Sequence, residues 1–195
     1  MSMAGLVTSL CGDRPPMLVT TATTGVHESD TLIAAFFISP LSRETELVMR
    51  EVPEDMLAPS REYHGIGSEE MRSYALPDDQ ALARLDELAQ NNTLFGYNPE
   101  FQSRYLAKGM TAAPVVLDLP ALVQAADMRM AMAQVTGLSE LQALALRQIG
   151  GKAPSFRSLC RRYGLEPNQV LLPLQASCWQ LCGLWDRLAE IPAVR

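Results

Sequence analysis

Met17-Leu18-Val19-Thr20-Thr21-Ala22-Thr23-Thr24-Gly25 is the stretch on which the rest of the chain is organised. Three apolar residues followed by β-branched Thr20 and Thr21 read as a buried strand, and Thr24-Gly25 reads as the turn that ends it. A second apolar run, Leu32 to Ile38, follows at once. Strand, glycine turn and strand make a hairpin that starts a sheet. Leu32 to Ile38 contains no charged residue, as suits a central strand covered on both faces.

Working outward, Met1 to Pro16 reads as a loose or edge-lying leader, with Pro15-Pro16 a stiff extended entry into the first strand. Pro40 closes the second strand, and Glu46 to Arg50 is a third, more exposed one. Val52 to Ala75, punctuated by Pro53 and Pro59, reads as irregular, with Ser68 an expected helix cap. Pro77 to Gln90 is an expected helix: Asp78 and Asp79 suit its positive end, and Leu82, Leu85 and Leu88 make a stripe. Leu94 to Gly96 and Pro114 to Asp118 are expected strands. Pro120 to Met132 and Leu138 to Ile149 are expected helices, the second closed by Gly150-Gly151. A helix from Ser155 to Leu165, ended by Gly164, and a last helix from Pro173 to Glu190 complete the chain. Three strands, then alternating helices and strands, give an α/β class.

The chain has 195 residues, of which 48% are apolar, and no low-complexity tract. That suits one domain with a substantial core. The division expected is a leader over 1–16 and a single domain over 17–195. A net charge of −6 argues against broad polyanion binding, which needs many Lys and Arg contacts, but leaves room for a local basic groove. The four cysteines, Cys11, Cys160, Cys178 and Cys182, form no Cys-x-x-Cys pattern and read as buried thiols. No run reaches the eighteen or so apolar residues of a membrane span, and no leader pattern of a secreted chain is present, so the expected location is cytoplasmic.

The residues also resemble a known family. Leu18-Val19, followed after two intervening residues by Ala22-Thr23-Thr24-Gly25, is similar to the first motif of the DEDD superfamily of 3′–5′ exonucleases. That motif reads apolar, apolar, Asp, x, Glu, Thr, Thr, Gly. Here Thr20 stands at the Asp and Ala22 at the Glu. His64-Gly65-Ile66 resembles a His-Gly-Ile segment that follows the family's third strand. Tyr97, Asn98, Phe101, Gln102, Tyr105 and Leu106 resemble the second motif, His-Asn-x-x-Phe-Asp-x-x-Phe-Leu, with Tyr97 at the His and Gln102 at the third carboxylate. Ser155 to Leu165 resembles the family's Ser-Leu-x-x-Leu-Cys-x-x-x-Gly-Ile helix. In the third motif, His-x-x-x-x-Asp, Leu172 falls at the His and Ser177 at the Asp. The connection around 133–152 is longer than is usual in the family and reads as a helical insertion.

The resemblance implies a ribonuclease H-like fold, a mixed sheet of three antiparallel and then parallel strands flanked by helices. The family reaction hydrolyses a phosphodiester with two divalent metals about 4 Å apart, held by carboxylates, and a histidine that deprotonates the attacking water. At the matching positions, Thr20, Ala22, Gln102, Leu172 and Ser177, no acid and no histidine stands. Hard cations need charged oxygen ligands, and between Met17 and His27, as between Asn168 and Trp185, there is no Asp or Glu to supply them.

The leading expectation is therefore a catalytically inactive exonuclease-like module without a cofactor, binding single-stranded nucleic acid or a protein in the old cleft. Tyr63, His64, Tyr97, Asn98, Phe101 and Arg104 are the candidate nucleic-acid contacts, with aromatic rings to stack on bases. Packing is the plainer role for Phe101, and a turn-packing histidine the plainer role for His64. Arg61, Arg72, Lys108, Arg157, Arg161 and Arg162 are further basic residues, the Arg161-Arg162 pair reading first as a solvated helix end. Two alternatives stay open: an active exonuclease with a rearranged site, using Mg or Mn through Glu100, and a structural or oligomerisation protein.

Overall fold

A computed structural model of the chain describes residues 2–27, 29–108, 110, 114–134, 155–167 and 171–192. Its centre is a six-stranded sheet of order β4-β3-β2-β1-β5-β6. The strands are β1 (Pro16–Thr23), β2 (Leu32–Ile38), β3 (Thr45–Arg50), β4 (Ala75–Leu76), β5 (Thr93–Gly96) and β6 (Val116–Asp118). β1, β2 and β3 are antiparallel neighbours, while β5 and β6 run parallel to β1 and β4 runs parallel to β3. The hairpin is in the expected place: Leu18 faces Ile38 and Thr20 faces Phe36. Every residue of β2 is buried, as its uninterrupted apolar run requires of a strand flanked by two others.

Helices cover both faces of the sheet. On one face Leu18, Ala22, Ala34 and Phe36 pack with the last helix, Pro173–Glu190, and with the helix Leu119–Gln134. On the other face Val19, Ala35 and Phe37 pack with the helices Asp78–Asn91 and Pro99–Leu106. The last helix turns Leu174, Cys178, Leu181, Trp185 and Leu188 inward, near the i, i+4, i+7 spacing that places side chains on one face. Its Trp185 ring meets Phe95 of β5 edge-on at 5.4 Å between centroids. Among the described residues no helix is long and apolar enough to cross a membrane.

Two segments differ from the reading of the sequence. Met3–Leu10, expected as part of a loose leader, is a helix capped by the Ser2 hydroxyl, which accepts from Gly5 N at 3.1 Å. It buries Ala4 and Val7 in the core shared with the last helix, and Met3 N donates to Ile191 O at 2.8 Å. Its short apolar run lacks a polar face long enough to show a helical period, and the face it buries exists only once the last helix is in place. Val52 to Ala75, expected as irregular, holds the short helices Glu54–Leu57, Arg61–His64 and Ser68–Tyr74 and ends in β4. Ser68 is the first residue of its helix rather than the cap, which is Gly67. Each of these helices is too short to persist alone and is held by tertiary contact. The expected insertion around 133–152 lies outside the described residues, apart from the end of the helix at Gln134.

Leu181 is fully buried between the sheet and its neighbouring helices, whereas Leu41 is 60% exposed. Leu181→Ala is expected to cost about 2–5 kcal/mol of unfolding free energy, and Leu41→Ala to stay within about 0.5 kcal/mol of the parent. Urea titrations of the two variants check the pair.

Candidate functional site

The residues of interest gather where the C-terminal half of β1 passes beneath the first turns of the last helix. Alternation along β1 sends Leu18 and Ala22 to the face that carries the last helix and Val19 to the other. Thr20 shares the first of these faces. Its hydroxyl donates to Leu174 O at 2.8 Å, a bond fully out of water. The same hydroxyl lies beside the Cys178 thiol, which donates to Phe36 O at 3.5 Å. Burial pushes that thiol well above the usual cysteine range, so it stays protonated. Ala22 is buried and apolar.

Leu172 caps the last helix by position, and its backbone N–H donates to the Gln175 side-chain Oε1, which reaches back to it at 3.2 Å. Ser177 pairs with the Tyr97 phenol, whose pKa is raised, chiefly by burial, against the lowering effect of that bond. Gln102 comes from the helix Pro99–Leu106 and is 1% exposed. Its Nε2 donates to Tyr97 O at 3.2 Å, and its Oε1 is buried without a protein partner. The five positions at which the resemblance places the family's metal and base residues thus form a neutral, mostly buried cluster whose hydroxyls and amide are spent largely on the protein itself. Among the described residues no three His, Cys, Asp or Glu side chains come together as a ligand set.

Beside this cluster runs a groove of about 850 Å³, walled by the helix Phe156–Arg162 on one side and the last helix on the other. Tyr97 and Phe156 stack at its base, ring centroids 4.4 Å apart and planes within 3°. Ser177 and Gln180 line one wall, Arg157 and Arg161 the other. Cys160 also borders it, and burial pushes that thiol up to about 11. The Phe156 helix is capped by Ser155, as expected, and Gly164 ends it at φ 67°.

Of the candidate contacts, the groove takes in Tyr97 alone. Phe101 lies on the opposite face of the sheet, tilted against Tyr105 at 4.7 Å. Asn98 is exposed in the left-handed region at φ 50°, just before the helix that carries exposed Arg104. Tyr63 is 74% exposed on its short helix. His64 is buried, and its ring is held from both sides: Ile66 N donates to Nδ1 at 2.9 Å, so the neutral ring keeps its proton on Nε2 and donates to Ser60 Oγ at 3.0 Å. The adjacent Gly65, at φ 74°, presses against Pro173 and Leu172, and a Cβ there would meet Pro173 Cδ at 2.8 Å. Glu100 is exposed in the first turn of its helix. Arg157 and Arg161, read from sequence among the further basic residues, do border the groove, whereas Phe156 was not singled out as part of a binding surface. The motif around Ser155 places their helix, but no sequence signal ties it to Tyr97.

No family model matches the chain, and no curated protein matches its sequence. Solved structures do match. Apo exonuclease I superposes over 91% of this chain and 42% of its own, with TM-score 0.58 and 15% identity. The zinc-bound complex of E. coli exonuclease I with single-stranded DNA matches over 91% of this chain and 40% of its own, with TM-score 0.57 and 15% identity. A complex of exonuclease I with SSB-Ct matches over 89% and 42%, with TM-score 0.53 and 15% identity. The chain spans about two-fifths of the length of these exonuclease I chains. At such identity the likeness is one of fold: the chain has the ribonuclease H-like α/β arrangement of the exonuclease I structures.

Burial, and secondarily the Arg61 charge, lower the His64 pKa below its ordinary 6.5. The folded state then binds fewer protons than the unfolded state over the window just below pH 6.5, so stability is complete above that pH and falls as the pH drops through it. The slope attributable to one proton is at most about 1.4 kcal/mol per pH unit. Chemical denaturation from pH 7.5 to 5 is expected to show this loss, and His64→Gln to flatten it. Gly65→Ala, forced into both a left-handed backbone and Pro173, is expected to lose about 1–3 kcal/mol in the same assay.

Proposed function

We propose that the chain is a non-hydrolytic exonuclease-like module that binds a partner in the groove beside β1. The observation that carries this reading is the neutral cluster of Thr20, Ala22, Gln102, Leu172 and Ser177. Two divalent metals about 4 Å apart need several carboxylates to offset their charge. Thr20, Gln102 and Ser177 present only neutral oxygens; the first donates its proton to Leu174 O and the third pairs with Tyr97. That donor set does not fit a two-metal centre, and Leu172 offers no base.

The groove supports the binding half of the reading. It has the size of a ligand site, an aromatic floor, and a few polar groups that can fix an orientation. The fold neighbours include exonuclease I complexes with single-stranded DNA and with SSB-Ct. By analogy they support a nucleic-acid strand or a protein segment as the partner class; fold alone selects neither.

The test is degradation of a 3′-labelled single-stranded oligonucleotide by the purified protein, first with magnesium and then with manganese. The oligonucleotide is expected to remain intact at high protein concentration, and Glu100→Gln to behave as the parent. Cleavage that survives stringent purification and vanishes in Glu100→Gln would sink the non-hydrolytic reading and establish a rearranged metal site.

A further inference from the structure

We propose that His64 is a proton-operated latch on the last helix. When the ring takes up a second proton, the helix Arg61–His64 swings out and releases the first turn of the last helix from β1, while the sheet stays folded. The latch works in the same way whatever the groove binds.

The ring has no place for another proton. His64 is 4% exposed. Its Nδ1 accepts from Ile66 N at 2.9 Å and its Nε2 donates to Ser60 Oγ at 3.0 Å. An imidazolium carries a proton on both nitrogens. The new Nδ1–H would meet the Ile66 N–H donor against donor, and the charge would sit away from water. The surrounding charges do not offset that cost. Arg61, on the same helix, repels the cation. Glu62, also on that helix, is engaged with the Tyr63 hydroxyl. Glu70, on the helix Ser68–Tyr74, accepts from Gly67 N at 2.8 Å and acts on Arg61. The two elements packed on the helix Arg61–His64 are the turn Ala58–Ser60 and the start of the last helix, Pro173-Leu174-Gln175. Neither brings a charge.

The cheapest way to hydrate the charged ring is to move this one segment. In Arg61–His64 only His64 is buried; Arg61, Glu62 and Tyr63 are exposed. Four residues of helix have no stability of their own. Expelling the ring therefore gives up one buried side chain and two hydrogen bonds, and leaves the core of the sheet untouched. Ile66, fully buried, holds the chain beyond, and Gly65 at φ 74° is the joint between the two. Gly65 is also the residue pressed against Pro173 and Leu172. Drawing it away frees the turn whose Leu174 O accepts from Thr20. Pro173 and Ser177 line the groove, so the same event reshapes one of its walls. Below the ordinary histidine value of about 6.5, each unit of falling pH multiplies the open population by up to about tenfold, until the latched ring itself titrates.

Amide hydrogen exchange of the full chain from pH 7.5 to 5 tests the latch, each rate being divided by the intrinsic rate at that pH. Protection over 60–66 and 174–178 is expected to fall by up to about tenfold per pH unit below about pH 6.5, while 32–38, the span of β2, keeps its protection. The midpoint of the loss should coincide with the titration of the His64 ring followed by NMR in the same protein. His64→Gln is expected to abolish the pH dependence. His27→Gln, which removes the only other histidine and an exposed one, should retain it. Gly65→Ala is expected to expose 174–178 already at pH 7.5. Protection of 174–178 that ignores pH overturns the proposal, as does a loss shared equally by 32–38, which is global unfolding. A pH dependence that persists in His64→Gln overturns it too. So does a midpoint displaced from the His64 titration, a comparison made on the unsubstituted chain and therefore independent of whether His64→Gln folds.

Discussion

The rest of the structure depends on the seating of the last helix across β1 and β2. One polar bond registers it: the buried Thr20 hydroxyl donates to Leu174 O, a carbonyl in the first turn of that helix. A first-turn carbonyl also accepts within the helix, so the extra bond uses its second lone pair. A bond of this kind adds about 1 kcal/mol net, far less than the apolar face beneath it, but unlike apolar burial it has a direction. It sets which turn of the helix lies over which residue of β1. Cys178, one turn further along, repeats the device on β2 by donating to Phe36 O.

That registration brings the candidate site together. With Leu174 above Thr20, Ser177 falls beside Tyr97 and closes onto its phenol. Pro173 and Leu172 fall against Gly65, where any side chain would collide. The His64 ring, locked between Ser60 and Ile66, fixes the backbone that delivers Gly65 to this contact. The cluster is therefore a packed joint between strand and helix, made of hydroxyl, amide and apolar groups. A carboxylate at Thr20 would lose the proton given to Leu174 O and face that carbonyl oxygen with a second acceptor in a dry site, an arrangement that costs several kcal/mol unless a cation is present.

The groove beside this joint is a consequence of the same packing. The Phe156 helix leans on the last helix through Leu165, which packs against Gly183 and accepts from Gln180 Nε2 through its carbonyl at 2.8 Å. Phe156 at the other end reaches Tyr97, and the space left between the two helices is the groove. Its positive wall survives because Arg157 and Arg161 point away from the core that Leu159 and Cys160 fill.

The sequence by itself determined the sheet and most of the helices around it. The β1–β2 hairpin, the fully buried β2 and the span Pro173–Glu190 were legible because each is written locally: continuous apolar and β-branched runs for the two strands, a spacing of three to four for the helix, with glycine and proline at the ends. It also determined that no acid stands at Thr20, Ala22, Gln102, Leu172 or Ser177. Tertiary structure alone decided the rest. The helix Met3–Leu10 and the short helices between Glu54 and Tyr74 form because partners bury them, and segments of that length carry too few local bonds to be read without those partners. Phe101 and Tyr97, four residues apart in one motif, end on opposite faces of the sheet because the chain reverses through Asn98 between them. Tyr97 meets Phe156, fifty-nine positions away, by a contact that no local spacing encodes. Periodicity records what a residue does to its own element; which elements then meet is set by the burial of faces that exist only after those elements have formed.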